Sequence, residues 1–145
     1  MIDVLCDASI VLKWFHSEGE EEVDEARAVL AAHRAGDLSA SILDLTLYEI
    51  GNVLLRSLGW PASDVGDQLD DLRAICVTVA PTAEEFRTAA EIGRRGDLTY
   101  YDAAYAAVAK SRGATLATAD RGLVRSGYGE RPGVLVARLG LTDTI

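Results

Sequence analysis

Two aspartates stand directly behind short apolar runs, where a carboxylate can do chemistry. Asp7 follows the apolar run 2–6, and Asp120 follows the run 114–117 after two intervening residues. Because ligands of open parallel sheets bind beyond the carboxyl ends of the strands, both side chains would face one crevice. Each could equally be the N-cap of the next helix, which is a common role for an Asp after a strand.

A third acid, Asp102, stands three residues after Thr99 in a capping-box pattern that predicts the start of a helix. Small residues follow, and Gly113 is a natural end for that helix. A helix of about 11 residues, rising about 1.5 Å per residue and followed by an extended return, would bring Asp102 and Asp120 to the same edge of a sheet. Helix capping alone could also explain Asp102.

Glu49 is harder to explain by capping, because it lies inside the amphipathic pattern of residues 43–58 and adjoins its apolar face. A carboxylate beside the core is costly unless a partner or a metal compensates it. Arg56, about two turns away, is one candidate partner. Asn52 could hold Glu49 by a hydrogen bond or could itself reach the site.

Four acids in one crevice would repel each other unless cations lie between them. Carboxylates without His or Cys ligands select hard ions, Mg²⁺ or Mn²⁺, over zinc. His16 and His33 lie at no useful spacing and are predicted to be structural or surface residues. Ser9 and Thr118 each lie two residues from an acid, where their hydroxyls could orient a carboxylate or form a local turn.

The composition predicts one domain over residues 1–145, since 145 residues with 49% hydrophobic content can bury a substantial core. No apolar run approaches the roughly 18 residues that span a bilayer, and the first residues carry no basic region. We therefore expect a soluble cytoplasmic protein without membrane contact. Cys6 and Cys76 are expected to be buried free thiols.

The net charge of −9 would normally argue against a nucleic-acid partner, but the charge is unevenly distributed. Residues 1–86 carry 17 acids and 5 bases, a net of −12, whereas residues 87–145 carry 6 acids and 9 bases, a net of +3. Much of the negative charge lies in the run 18–25, which is typical of a solvated helix start. The positive second half therefore leaves binding to a polyanion possible despite the net negative charge.

Apolar runs alternate with helical patterns along the chain, which predicts a three-layer α/β/α domain with a mostly parallel sheet. No repeat or linker divides it. Strands are predicted at residues 2–6, 38–41, 75–79, 114–117 and 134–136. Helices are predicted to begin near residue 10 and to cover 20–35, 43–58, 63–73, 81–96 and 99–113, with one or two turns at 121–126 and a loop at 127–133.

Three stretches together resemble the PIN-domain ribonucleases, and specifically the VapC-type toxins of bacterial type II toxin–antitoxin pairs. They are VLCDASIVLKWF, LTLYEIGNVLLR and LTYYDAAYAAVAKSRGATLATAD. The resemblance extends along essentially the full length, and it implies an acidic quartet of Asp7, Glu49, Asp102 and Asp120. Asp7 and Asp102 would bind the metal, with Glu49 and Asp120 doing so directly or through water. Ser9, Asn52 and Thr118 occupy the family's auxiliary polar positions.

The resemblance further implies an Mg²⁺-dependent endoribonuclease, with Mn²⁺ as an alternative ion, that hydrolyses RNA phosphodiester bonds to 5′-phosphate and 3′-hydroxyl ends. Basic residues of the second half are candidates for holding the RNA backbone, although simple solvation also explains any surface Arg. Such binding should weaken as salt rises. The candidates are Arg94, Arg95, Lys110, Arg112, Arg121 and Arg125.

The family implies a small antitoxin protein whose tail covers the acidic crevice, often with an Arg that reaches the carboxylates. A homodimer is also expected. Trp14, Phe15 and Trp60 could line either contact or could pack in the core.

Two other classes of function compete with this prediction. One is a catalytically silent PIN-like scaffold that binds RNA or protein without cutting. The other is a receiver-type phosphoacceptor signalling domain, which would need adjacent acids near the first strand and a Lys after a late strand. Here Ala8 follows Asp7, and Arg121 follows Asp120.

Overall fold

A computed structural model describes residues 1–141 and contains one five-stranded sheet in which every strand pairing is parallel. The strand order is β3-β2-β1-β4-β5, so the first strand lies at the centre. Asp3 pairs with Ser39 on one side of it, and Cys6 pairs with Ala117 on the other. The strands are β1 (Ile2–Cys6), β2 (Leu38–Leu43), β3 (Val77–Val79), β4 (Thr115–Ala117) and β5 (Gly129–Glu130).

Helices connect the strands and cover both faces of the sheet. They are α1 (Ala8–Lys13), α2 (Val23–Ala35), α3 (Asp44–Asn52), α4 (Ala62–Ile75), α5 (Ala83–Gly96), α6 (Tyr100–Arg112), α7 (Arg121–Arg125) and α8 (Pro132–Leu139). Helix α3 continues into a π-helical turn over Val53–Ser57. The predicted three-layer α/β/α fold is confirmed.

The two halves of the core follow from the alternation of side chains along β1. Val4 and Cys6 contribute to a cluster that includes α1, α2, α4 and α8, whereas Leu5 contributes to a second cluster that includes α5, α6 and α7. A central parallel strand is buried on both faces, which explains why residues 4–6 are apolar without alternation. Helix α6 is almost entirely buried from Ala103 to Ala109, because its small side chains let it pack closely.

The prediction of a last strand at 134–136 is wrong. Those residues lie in α8, which begins with Pro132 at its first position, and β5 instead occupies part of the predicted loop. Proline favours the first turn of a helix, and a three-residue apolar run cannot by itself distinguish helix from strand. Leu135 is fully buried while Val134 is 56% exposed, as expected for an amphipathic helix.

Other boundaries shift by a few residues. Helix α2 begins at Val23 rather than near residue 20, and β3 begins at Val77 because α4 extends to Ile75. Strand β2 extends to Leu43, so the predicted helix 43–58 begins one residue later and ends in the π-helical turn.

Cys6 and Cys76 are buried free thiols, as predicted. His33 is structural: its Nδ1 accepts a hydrogen bond from the Ala40 amide at 2.9 Å, and its Nε2 lies 2.8 Å from the Ile75 carbonyl oxygen. Among the helices that the structure describes, none is long and apolar enough to cross a membrane. The predicted single domain stays a prediction, and its last four positions, 142–145, lie outside the described residues.

Candidate active site

Asp7 and Asp120 lie at the carboxyl edge of the sheet, and each also begins a helix. Asp7 caps α1 through a bond from the Ile10 amide, and Asp120 caps α7 through a bond from the Leu123 amide at 2.9 Å. The capping alternative was therefore correct for both residues. Capping uses one carboxylate oxygen of each side chain, so it does not exclude a second role for the other oxygen.

Asp7 is 4% exposed and is held by two hydroxyl groups. Ser9 donates to Oδ1 at 2.5 Å, and Thr118 donates to Oδ2 at 2.5 Å. Each hydroxyl also accepts a backbone amide: Ser9 from Ala119 and Thr118 from Asp120, both at 2.9 Å. We call Ser9 and Thr118 the hydroxyl pair. It fixes the Asp7 carboxylate and ties the β1 edge to the segment after β4.

Burial raises the pKa of Asp7 from 3.8 to about 6, against the opposing effect of the bonds from Ser9, Thr118 and the Ile10 amide. The negative charge of Asp102 raises it further. Three donated hydrogen bonds thus stabilise the carboxylate without offsetting its loss of water. A cation beside Asp7 would supply the missing compensation.

Glu49 lies half-buried on α3, and its partner is neither Arg56 nor Asn52. Tyr105, from the second turn of α6, donates its hydroxyl to Glu49 Oε1 at 2.7 Å. The candidate partner Arg56 is instead exposed in the π-helical turn, where the altered helix period takes it away from the Glu49 stripe. Asn52 is also exposed, at the end of α3.

Asp102 lies in the first turn of α6, where its amide donates to the Thr99 hydroxyl at 3.1 Å, as the capping pattern predicted. Burial raises the pKa of Asp102, and the negative charge of Asp120 raises it further. Burial likewise raises the pKa of Glu49, with an added contribution from the charge of Asp102. Asp102 is therefore within electrostatic reach of all three other acids.

The chemistry of this quartet fits a hard divalent cation, because four carboxylates offer oxygen ligands only and their mutual repulsion favours a cation between them. Within residues 1–141, no three Asp, Glu, His or Cys side chains already stand in a geometry that could hold a metal ion. Binding would therefore require a side-chain adjustment, for which the partly exposed Asp102 and Asp120 have room.

The basic candidates fall into two groups. Arg94 and Arg95 lie in the last turn of α5 next to the start of α6, and Arg121 and Arg125 flank α7; all four are exposed. Arg121 follows Asp120 directly and lines a cavity of about 310 Å³ together with Lys13 and Arg131. The glutamates 20–22 line the same cavity, so its charge is mixed.

Lys110 and Arg112 lie at the opposite end of α6, about 12 Å and about 15 Å along the helix axis from Asp102. Arg112 donates from Nε and Nη2 to the buried Glu85 at 3.0 Å and 2.9 Å and caps the Ala80 carbonyl. This placement removes both residues from the candidate site, because α6 runs from the carboxyl edge of the sheet to its amino edge.

Trp14 belongs to the core, and Phe15 and Trp60 are partly buried against it. Trp14 is 9% exposed and donates from Nε1 to the Ala26 carbonyl at 3.0 Å. Phe15 and Trp60 pack edge to face, with ring centroids 6.1 Å apart, against the same cluster. Exposed aromatic side chains instead line an apolar cavity of about 240 Å³ between the starts of α3 and α6; they are Tyr48, Phe86, Tyr100 and Tyr101.

Two buried hydroxyls, those of Tyr105 and Thr46, were not predicted from the sequence. Thr46 Oγ1 lies 2.6 Å from the Tyr105 hydroxyl and accepts the Leu43 amide at 3.1 Å. A signal was available, because Tyr105 lies three residues after Asp102 and Thr46 three before Glu49, which places each on the same helix face as its acid. A buried Tyr hydroxyl also needs a partner.

The fold is thus a parallel α/β sheet whose carboxyl edge carries Asp7, Glu49, Asp102 and Asp120. The sequence matches the PIN domain family over residues 4–127, and the chain belongs to that family. Among curated proteins it is similar to Exonuclease VapC9 of Pyrobaculum aerophilum, with 37% identity over 89 residues. That match covers 58% of this chain and 64% of the relative, so the chain spans less than two thirds of that relative's length.

Solved structures share the fold. PAE2754 from Pyrobaculum aerophilum superimposes with a TM-score of 0.70 at 25% identity, covering 97% of each chain. VapC20 of Mycobacterium tuberculosis, described as a sarcin–ricin loop cleaving toxin, has a TM-score of 0.69 at 18% identity, covering 86% of this chain and 95% of the other. A toxin–antitoxin complex from Klebsiella pneumoniae has a TM-score of 0.66 at 16% identity, covering 89% and 97%.

Proposed function

We propose that this chain is a divalent-metal-dependent endoribonuclease and the toxin of a VapC-type toxin–antitoxin pair. The observation that carries the proposal is the buried Asp7 carboxylate, which Ser9 and Thr118 hold at the carboxyl edge of the sheet. Helices α3, α6 and α7 present Glu49, Asp102 and Asp120 at the same edge. Membership of the PIN domain family and the likeness to the VapC proteins support it.

Asp7 and Asp102 would hold the ion, Mg²⁺ or Mn²⁺, with Glu49 and Asp120 binding directly or through water. When bound, the cation would acidify water and neutralise charge that develops on the scissile phosphate. The hydroxyl pair would keep the Asp7 carboxylate in one orientation. Arg121, Arg94 and Arg95 would hold the RNA backbone at the same edge, leaving 5′-phosphate and 3′-hydroxyl ends.

Exonuclease activity is a second candidate, because the curated relative with 37% identity is named an exonuclease. A circular RNA distinguishes the two activities, since only an endonuclease can open a molecule that has no ends. We expect the purified chain with Mg²⁺ or Mn²⁺ to linearise the circle, and chelation with EDTA to stop the reaction. Degradation of linear RNA alone would favour the exonuclease.

The same assay tests the catalytic assignment through Asp102→Asn. We expect a folded protein whose cleavage falls below detection, because a ligand of the cation is lost without a change of shape. Asp97→Asn is the matched control: it removes an acid at the end of α5 beside the site, and Asn tolerates the left-handed conformation that Asp97 adopts at φ 53°. Unchanged cleavage by folded Asp102→Asn would overturn the assignment.

Two outcomes would favour the other classes of function. Binding of RNA without cleavage by the wild-type protein, with Mg²⁺ or Mn²⁺ present, would indicate a silent scaffold. Labelling by a small phosphodonor would indicate a receiver-type domain, against which Ala8 after Asp7 and Arg121 after Asp120 already argue.

The proposed partner is an antitoxin whose tail covers the acidic edge, and a homodimer is proposed as well. The negative edge suits an Arg of the tail, and the apolar cavity beside it, lined by Tyr48 and Phe86, suits an apolar anchor next to that Arg.

Expression with and without the product of the neighbouring gene, followed by mapping of RNA ends, tests the pair. We expect growth arrest with new 5′-phosphate ends, relieved by the neighbour; sedimentation analysis tests the dimer.

A further inference from the structure

Tyr105 and Thr46 connect a backbone amide to Glu49 through buried hydroxyl groups. Both residues are nearly inaccessible, at 1% and 0% exposure, whereas Glu49 reaches the half-buried edge. The Leu43 amide contacts Thr46, Thr46 contacts Tyr105, and Tyr105 contacts Glu49 Oε1, at 3.1, 2.6 and 2.7 Å. We call this chain of contacts the relay.

The direction of the relay follows from counting protons. An ionised Glu49 carboxylate can only accept, so the single proton of the Tyr105 hydroxyl points to Oε1. Tyr105 must then accept from Thr46, whose own proton is used in that bond, and Thr46 accepts from the Leu43 amide. In this one arrangement, every hydrogen-bond donor of the relay has an acceptor.

We propose that Tyr105 and Thr46 are positioning residues that fix the orientation of Glu49 and leave its Oε2 as the oxygen for the cation. This inference rests on the proposed function. The relay also joins α3 and α6, the two helices that supply Glu49 and Asp102, so it sets the spacing of these two acids. Hydrogen bonds that orient a metal-ligating carboxylate typically change metal affinity by about 10- to 100-fold when they are removed.

Tyr105→Phe tests the relay, because it removes one hydroxyl and keeps the ring that fills the core. We expect Mn²⁺ affinity, measured by calorimetry, to fall about 10-fold. We also expect kcat for RNA cleavage to fall while KM changes little, since Tyr105 does not touch RNA. Tyr128→Phe is the matched control: it removes the hydroxyl of a partly buried tyrosine outside the relay and should leave both quantities unchanged.

Thr46 supplies a second test with a conservative rescue. Thr46→Val keeps the shape and removes the hydroxyl, so it should reproduce the effect of Tyr105→Phe. Thr46→Ser keeps the hydroxyl and should restore most of the Mn²⁺ affinity. The double variant Tyr105→Phe/Thr46→Val should be no weaker in Mn²⁺ binding than either single variant, because both break the same chain.

A readout without metal separates failure of the relay from failure of the proposed function. In EDTA, the effects of Tyr105→Phe and Glu49→Ala on the melting temperature should be non-additive, because each removes the same bond. If the wild-type protein neither binds Mn²⁺ nor cleaves RNA, the proposed function fails, and this cycle still decides whether the relay exists. The positioning role would be overturned if a folded Tyr105→Phe protein kept the Mn²⁺ affinity and kcat of the wild type. It would also be overturned if the effects of Tyr105→Phe and Glu49→Ala on the melting temperature were additive.

Discussion

At Asp7, hydrogen bonding and burial act in opposite directions, and burial has the larger effect. The pKa of this carboxyl rises from 3.8 to about 6 although Ser9, Thr118 and the Ile10 amide all donate to it. A site arranged only for stability would place a neutral side chain here. Holding a carboxylate in fixed orientation at a cost in stability is typical of a functional site.

The cost of burying the Asp7 carboxylate predicts that the stability of the fold depends on pH. The folded protein binds the Asp7 proton more tightly than the unfolded chain does. Protonation of Asp7 therefore stabilises the fold fully below about pH 4, and this stabilisation is lost as the pH rises through about 6. The full loss amounts to about 3 kcal/mol. Asp7→Asn should therefore be more stable than wild type at pH 7 by about 1–3 kcal/mol in urea unfolding with EDTA, and the gap should shrink at pH 4.

The variant should also lose cleavage, so stability and activity move in opposite directions. Asp37→Asn is the control, because Asp37 is exposed in the turn before β2, and its stability relative to wild type should not depend on pH in this way. A stability difference for Asp7→Asn that is equal at pH 4 and pH 7 would contradict this account of Asp7.

The individual residues differ in how far the sequence could identify them. The positions of Asp7 and Asp102 at the starts of helices were predictable from capping patterns, and Ser9 and Thr118 do bond to Asp7. The role of the four acids stays a prediction. The partner of Glu49 was missed, since it comes from a helix 56 positions away: the spacing of Tyr105 from Asp102 places both on one helix face but does not point to Glu49.

Among the elements, the short edge strand β5 packs tightly against Thr118, one residue of the hydroxyl pair. A Cβ at Gly129 would lie 2.5 Å from Thr118 Cγ2 and 3.3 Å from the Leu116 carbonyl oxygen. Because Thr118 also holds Asp7, β5 supports the site through Thr118. This segment was predicted to be a loop, since two residues are too few for a periodic pattern.

Gly129→Ala should therefore lower both stability and activity. We expect a loss of roughly 1–3 kcal/mol in the free energy of unfolding, typical of overpacking, with a reduced rate of RNA cleavage because Thr118 is displaced. Gly66→Ala is the control: Gly66 lies in α4 with open space around its Cα, and Ala there should be neutral or stabilising. Wild-type cleavage by Gly129→Ala would mean that Thr118 does not need its position.

Helices α5 and α6 are joined at the end away from the site by the Arg112–Glu85 ion pair. The hydrogen bonds from Arg112 lower the pKa of Glu85 from 4.5 to about 2. Arg112→Ala should cost about 1 kcal/mol of stability, discounted because the guanidinium is 39% exposed, and should leave RNA affinity unchanged. Weakened RNA binding by a folded Arg112→Ala would show that RNA reaches this end of α6.

For the whole molecule, the acids and bases are distributed so that the positive excess lies in the second half of the chain. The exposed arginines around α7 lie at the acidic edge, so a polyanion can contact it despite the net charge of −9. The identity of the layers could be predicted from the alternation of elements, whereas the position of each surface charge relative to the site needed the three-dimensional packing.

Arg121→Ala should weaken RNA binding and reduce the slope of log affinity against log salt by about 1, because one phosphate contact is lost. The measurement is a salt titration of binding to single-stranded RNA by the Asp102→Asn protein, which should not cut. Arg73→Ala is the control, since Arg73 is exposed near the end of α4, at the amino edge of the sheet. Equal slopes for the Asp102→Asn protein with and without Arg121→Ala would contradict a phosphate contact at Arg121.

The central place of β1 has a consequence for when the protein becomes active during synthesis. Asp7 leaves the ribosome before Thr118, whose hydroxyl orients it from 111 positions later in the chain. Contacts of such long sequence separation form late in folding. A nascent chain that has not yet extended past β4 therefore holds Asp7 beside Ser9 but without Thr118, so the site stays unassembled on the ribosome until translation has passed β4.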